Sequence, residues 1–183
     1  QGVLDSPDIP LNVSRSFLQG DPNVKKIGSH IVAKVAERLS LLQKNDREHY
    51  VKYWDDIHPF IKFGCISDEK FYDKVQEALL FKTTTGERVT LREYQDKNAK
   101  LKDRVLYTSN AEAQHAYIDR FKPQGVEIVI LDAPIDPHFI QHLEMKRHPL
   151  RFARVDSDTP EALLSSDKKE PEADKEFGEY LKK

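Results

Sequence analysis

The chain has 183 residues, enough for one large or two small domains around an ordinary hydrophobic core. Charged residues make up 33% of it yet nearly cancel, to a formal net of −2, so no whole-molecule field recruits nucleic acid or an anionic membrane. A single cysteine, Cys65, excludes an internal disulfide and suits a reducing compartment, and no apolar run approaches the roughly 20 residues that span a bilayer.

The first segment, Asp5 to Gln19, reads DSPDIPLNVSRSFLQ. Pro7 and Pro10 fix φ and push their predecessors toward extended backbone, so a helix can start only after Leu11. With Asn12 as N-cap, Asn12, Arg15 and Gln19 fall on one face of a helical turn, and Leu11 and Leu18 anchor the other. A guanidinium on that platform matches phosphate oxygens bidentately. A solvated arginine at a helix start explains the same residue types. No signal peptide is visible, and the Gln-Gly start reads as a piece excised from a longer protein.

Asp21-Pro22 opens a long amphipathic helix expected to end near Asn45, with Val24, Ile27, Ile31, Val35, Leu39 and Leu42 recurring at threes and fours. Its outward face carries Lys25, Lys26, Lys34, Glu37 and Arg38, a solvated face or, on a competing reading, a nucleic-acid contact. A second helix starts near Asp46 with Tyr50, Val51, Trp54, Ile57 and Ile61 inward. Pro59 is expected to kink or break its last turn and Gly64 to stop it. A third runs from about Asp68 to Leu80 on Phe71, Val75 and Leu79, followed by a loop over Thr83 to Glu87. Thr90 with Glu93 forms a capping box for a short helix through Tyr94.

Beyond Lys102 the period changes. Val105 to Thr108 reads as a strand, and Ser109 with Glu112 as a capping box before Ala113, Tyr117 and Phe121. Gly125 ends that helix, and Val126 to Leu131 is the strongest strand. Asp136, as N-cap, and Pro137 open a helix with Phe139, Ile140 and Leu143 inward; Phe152 to Val155 is the last strand. The alternation argues a small α/β/α layer with a mainly parallel sheet. From Asp158 the composition turns to that of a charged linker, and Phe177, Tyr180 and Leu181 suggest the first turns of a helix in a following domain.

Little of this carries catalytic chemistry by itself. His138 and His142 have the spacing of a zinc-binding pair, but Phe139 stands where such an enzyme needs glutamate and no third ligand is recognisable, so no metal is expected and both histidines read as solvent-exposed. Asp132 and Asp136 close the best strand, where open α/β sheets bind ligands, yet neither GxGxxG nor GxxxxGK(S/T) occurs, and an independent nucleotide pocket is not expected. Cys65 has no adjacent histidine and reads as inert, and no GxSxG elbow supports a serine nucleophile.

The string LDSPDIPLNVSRSFLQ resembles the middle-domain segment of heat-shock protein 90 chaperones, and KKIGSHIVAKV, LREYQDKN, RVLYTS and VEIVILDAPID continue the resemblance over residues 1 to about 157. WDDIHPFIKFGCISDEKFYDKV resembles the bacterial branch, high-temperature protein G (HtpG). Ser16 departs from the glutamate that many members carry after the arginine. The resemblance implies an α/β fold: the end of a larger α/β subdomain with the catalytic-arginine loop (1–20), a connecting helical coil (21–100), a small three-layer α/β/α subdomain with a mainly parallel sheet (101–157), and a charged linker leading into a carboxy-terminal domain (158–183).

The resemblance further implies a cytoplasmic ATP-dependent chaperone. ATP and Mg would be bound by a separate amino-terminal ATPase domain, Arg15 would reach the γ-phosphate, and Asn12 and Gln19 would shape the loop or contact the nucleotide. Client polypeptides would meet Pro137, His138 and Gln141, although relatives often carry a larger aromatic where this chain has His138. The full-length protein would be a homodimer through its carboxy-terminal domain, and this piece alone would hydrolyse no ATP. The alternative is a self-contained small α/β enzyme with its site at the strand ends near Thr108 and Asp132.

Overall fold

In the computed structural model of the protein, residues 21–157 are described, together with Thr159 and Leu164. Helix α1 spans Pro22–Asn45, capped by the Asp21 carboxylate, which accepts from the backbone N–H groups of Asn23 and Val24 at 2.7 and 3.2 Å. Its inner stripe is rotated from the expected one. Ile31 and Val35 are exposed, whereas Ala36 is fully buried with Val32 and Leu39 packed beside it. The small Ala36 side chain lets α1 lie close on its neighbours, and the Ser40 hydroxyl donates to the Lys74 carbonyl at 2.8 Å.

Helix α2, Arg47–Ser67, passes through both Pro59 and Gly64, where an early stop was expected. Burial of Tyr50, Trp54, Ile61, Lys62 and Cys65 along one stripe outweighs the hydrogen bond that proline removes. Gly64 is a packing position. A Cβ there would sit 2.8 Å from the Phe71 ring, so its absence is what lets that ring close onto the helix. Helix α3, Glu69–Val75, is capped by Asp68 and gives way to a 3₁₀ turn over Gln76–Ala78.

The expected helix to Leu80 and the loop after it are instead partly a hairpin. Strands β1, Leu80–Thr83, and β2, Arg88–Thr90, pair antiparallel with Leu80 opposite Thr90, around a tight turn in which Gly86 adopts φ +92°. Helix α4, Leu91–Lys97, begins with the expected capping box: Thr90 Oγ1 accepts from Glu93 N–H and the Glu93 carboxylate accepts from Thr90 N–H. Strand β3 covers Arg104–Thr108, α5 His115–Asp119, β4 Val129–Ile130, α6 Asp136–Lys146 and β5 Arg151–Arg154. No Ser109–Glu112 box forms. Asn110 Oδ1 takes the Ala113 N–H, while the Gln114 side-chain Oε1 accepts from the Thr108 hydroxyl at 2.6 Å and from Ser109 N–H. Gly125 closes the preceding 3₁₀ turn in the left-handed region, φ +67°.

The five strands lie in the order β2-β1-β4-β3-β5. Strand β1 is antiparallel to both neighbours, and β4-β3 and β3-β5 are parallel, so four of the five strands run one way. This is the mixed α/β fold with a mostly parallel sheet that the alternation of elements implied. Helices α1, α2 and α3 pack on one another and α2 also packs on α6. One apolar cluster runs from Ala36 through Trp54, Leu80, Tyr94 and Leu106 to Phe139 and Val155. Inside it the Tyr94 hydroxyl donates to the Glu127 carbonyl and accepts from Leu106 N–H, while Asn98 bonds the Tyr94 carbonyl and Glu127 N–H. No helix of the described residues is long and apolar enough to cross a membrane.

Candidate functional site

The positions expected to carry nucleotide chemistry, Asn12, Arg15 and Gln19, lie outside the described residues. The other candidates converge where α2 meets the start of α6. Pro137 at the first helical turn sets the entry into α6, and the periodicity buries Phe139 and Leu143 on the inner side. Pro137, His138 and Gln141 are exposed, and Met145 extends the same side with 70% exposure.

Two expectations are corrected here. Asp136 is the first residue of α6 rather than its cap, and it is buried: one carboxylate oxygen is ion-paired with the equally buried Lys62 of α2, the other accepts from Ala133 N–H at 2.9 Å. The Lys62 ammonium also lies 5.6 Å from the centre of the Phe139 ring. His142 is buried rather than solvent-exposed. Its ring meets Tyr72 edge-on at 4.9 Å, its Nε2 has no partner, and burial with Lys146 nearby holds its pKa below the ordinary value.

Along α2 the Trp54 ring stacks on His58 at 6.1 Å. The Nδ1 atom of His58 is shielded and unpartnered, and burial, then the Lys62 charge, depress its pKa against the opposing pull of Asp136, Asp55 and Asp132. These residues line a cavity of about 250 Å³ bounded by β1 and the end of β4. Asp132 lies at this cavity, but Thr108 does not: its side chain is buried and used by Gln114, so the two strand ends named for the enzyme alternative are not brought into one site. Cys65 is fully buried and burial pushes its thiol up to about 12, consistent with an inert side chain.

The sequence reading missed a surface feature. Tyr53, Phe60 and Phe63 occupy the side of α2 opposite its buried stripe, and Phe60 and Phe63 are 71% and 63% exposed. A signal was present in the pair Tyr53-Trp54, where burying one ring turns its neighbour outward, whereas at Lys62-Phe63 it is the lysine that faces in. Two further clamps fix α2. Arg47 donates bidentately to Glu93 at 2.6 and 2.7 Å, which holds that carboxyl at about 2, and Arg88 of β2 pairs with Asp55. Among the described residues no group of three or more His, Cys, Asp or Glu could hold a metal ion.

Comparison with known proteins decides the family. The family model described as Hsp90 protein matches residues 1–183. The chain belongs to the Hsp90 family. It is 44% identical over 174 residues to chaperone protein HtpG of Bacteroides fragilis, covering 92% of this chain and 26% of that protein, and 41% identical over 176 residues to HtpG of Porphyromonas gingivalis, covering 92% and 25%. The Hsp90 chain thus spans about a quarter of the length of these relatives. Its fold is similar to the middle domain of a Plasmodium falciparum heat shock protein, with TM-score 0.60 at 15% identity, over 74% of this chain and 59% of that one.

The buried histidines make stability pH-dependent with a definite sign. Both folded pKa values lie below 6.5, so between them and 6.5 the unfolded chain binds more protons and stability falls as the pH drops through that window. The carboxylates held low by arginine remain charged there. The urea midpoint is therefore expected to be lower at about pH 5.5 than at about pH 7.5, and His142→Phe, which keeps an aromatic edge on Tyr72, is expected to shrink the difference. An undiminished pH dependence in that variant would remove His142 from the account.

Proposed function

We propose that this chain is the middle segment of a cytoplasmic, ATP-dependent chaperone that acts as a homodimer through a carboxy-terminal domain. The family match over the whole chain carries the reading, and the exposed face of α6, held out from the core by Asp136 and Phe139, supports it. Client polypeptides engage Pro137, His138 and Gln141. ATP, with Mg, binds in the separate amino-terminal domain, and the Arg15 guanidinium reaches its γ-phosphate, with Asn12 and Gln19 shaping the loop or contacting the nucleotide.

A positioned arginine stabilises charge that develops on phosphoryl oxygens, worth roughly 10³ to 10⁵ in rate where such a finger is the main catalyst. Here part of its effect is to hold the closed arrangement of domains, so a smaller factor follows. In the full-length protein, Arg15→Ala is expected to lower ATP turnover at least tenfold with nucleotide affinity nearly unchanged, and the chain by itself neither hydrolyses ATP nor binds it measurably by calorimetry. Unimpaired turnover in that variant removes Arg15 from the mechanism.

The client face is tested separately. His138→Asp combined with Gln141→Glu changes only exposed positions, so the melting temperature should stay within about 2 °C. Suppression of aggregation of a thermally unfolded client should fall several-fold. Undiminished suppression would take this face of α6 out of client binding.

A further inference from the structure

The chain has one cysteine and one methionine. Cys65 is fully buried and burial pushes its thiol up to about 12, so at neutral pH it offers an oxidant neither access nor a thiolate. Met145 is 70% exposed, which makes its thioether the one sulfur of the chain that a dissolved oxidant can reach.

Its place on α6 gives that exposure a consequence. His138, Gln141 and Met145 fall at i, i+3 and i+7 along one exposed stripe of the helix, while Phe139 and Leu143 turn inward. Met145 is the one large apolar side chain exposed on α6, in a stripe otherwise made of an imidazole and an amide. Its neighbours in the chain are each engaged with another element. The Glu144 carboxylate accepts from Phe152 N–H at 2.7 Å, the Lys146 ammonium pairs with Glu69 of α3, and the Arg147 guanidinium donates to Gln76 and Glu77 at 2.9 and 2.6 Å. The backbone that carries Met145 is thus fixed by other side chains, and its own projects to solvent. An unbranched, polarizable thioether adapts to apolar partners of varied shape, as capture of non-native chains requires.

We propose that Met145 supplies the apolar contact of the α6 client face and is a reversible oxidation site that switches this contact off. The proposal rests on the client reading above and names a regulation of the same surface. The co-reactant is a peroxide. A sulfur lone pair attacks one peroxide oxygen, the O–O bond breaks as the S=O bond forms, and the departing oxygen takes the proton and leaves as water, so sulfur is oxidised by the two electrons that reduce the peroxide. The sulfoxide is polar and hydrated, and it no longer gains by meeting an apolar side chain. Two thiols of a sulfoxide reductase reverse the step: they join as a disulfide, and the oxygen leaves as water.

The whole chain is treated with dilute hydrogen peroxide and followed by peptide mass mapping, by its melting temperature and by suppression of aggregation of a thermally unfolded client. The treated chain is expected to gain one oxygen, mapped to Met145, to melt as the untreated chain does, and to suppress aggregation about threefold less. Methionine sulfoxide reductase with dithiothreitol should restore the suppression. Met145→Leu should lose none of its own suppression to peroxide, and Met145→Gln, with a polar side chain of similar length, should start near the oxidised level. Full suppression by the oxidised chain, while His138→Asp with Gln141→Glu is still impaired, overturns the switch and leaves the client face standing. Full suppression in both removes the α6 face from client binding and the switch with it. Oxygen taken up first at Cys65, or an equal loss in peroxide-treated Met145→Leu, also overturns the proposal.

Discussion

Lys62 and Asp136 bring two opposite charges into the interior from helices 74 residues apart in sequence, and the junction of α2 with α6 depends on their meeting. Each ion alone would cost several kcal/mol to bury, so neither position is tolerable unless the other is in place. Ala133 N–H serves the second carboxylate oxygen, and the Phe139 ring lies beside the ammonium. Apolar packing alone would leave the rotation of α6 loosely specified. A buried pair permits one arrangement, the one that turns Pro137, His138 and Gln141 outward and leaves the cavity between α2 and the sheet.

Helix α2 is the element that everything else is referred to. It is tied to α4 through Arg47 and Glu93, to β2 through Asp55 and Arg88, and to α6 through Lys62. The exposed aromatic residues sit on this same helix, which places the apolar surface on a member that cannot easily shift.

Much of the fold was legible where one residue has one local reason. Asp21 before Pro22 and the Thr90–Glu93 box act through nearest neighbours, and they stand as read, whereas Gly125, read as the end of the helix through Phe121, closes a separate 3₁₀ turn after α5 has ended at Asp119. The errors fall where tertiary contacts override local preference. Pro59 and Gly64 look like breakers, but the buried stripe of α2 and the Phe71 ring decide their roles. The β1-β2 hairpin was hidden because Leu79, Leu80 and Phe81 extend the helical period of α3, although Leu80 and Phe81 pair with β2. His142 and Asp136 look like surface residues from their type, and only the approach of Tyr72 and Lys62 buries them. The arginine motif was readable as a family signature, whereas the cavity was not, because its walls come from residues 54 to 136 and no spacing in the chain joins them.

A double-mutant cycle on Lys62 and Asp136 tests the central claim most directly. Lys62→Met and Asp136→Asn, each alone, are expected to lower unfolding free energy by about 3–5 kcal/mol, because each strands a buried polar partner, while the double variant loses far less than the sum of the two. Additive losses, or single losses below about 1 kcal/mol, would contradict the account, since the two helices would then be held together without this pair.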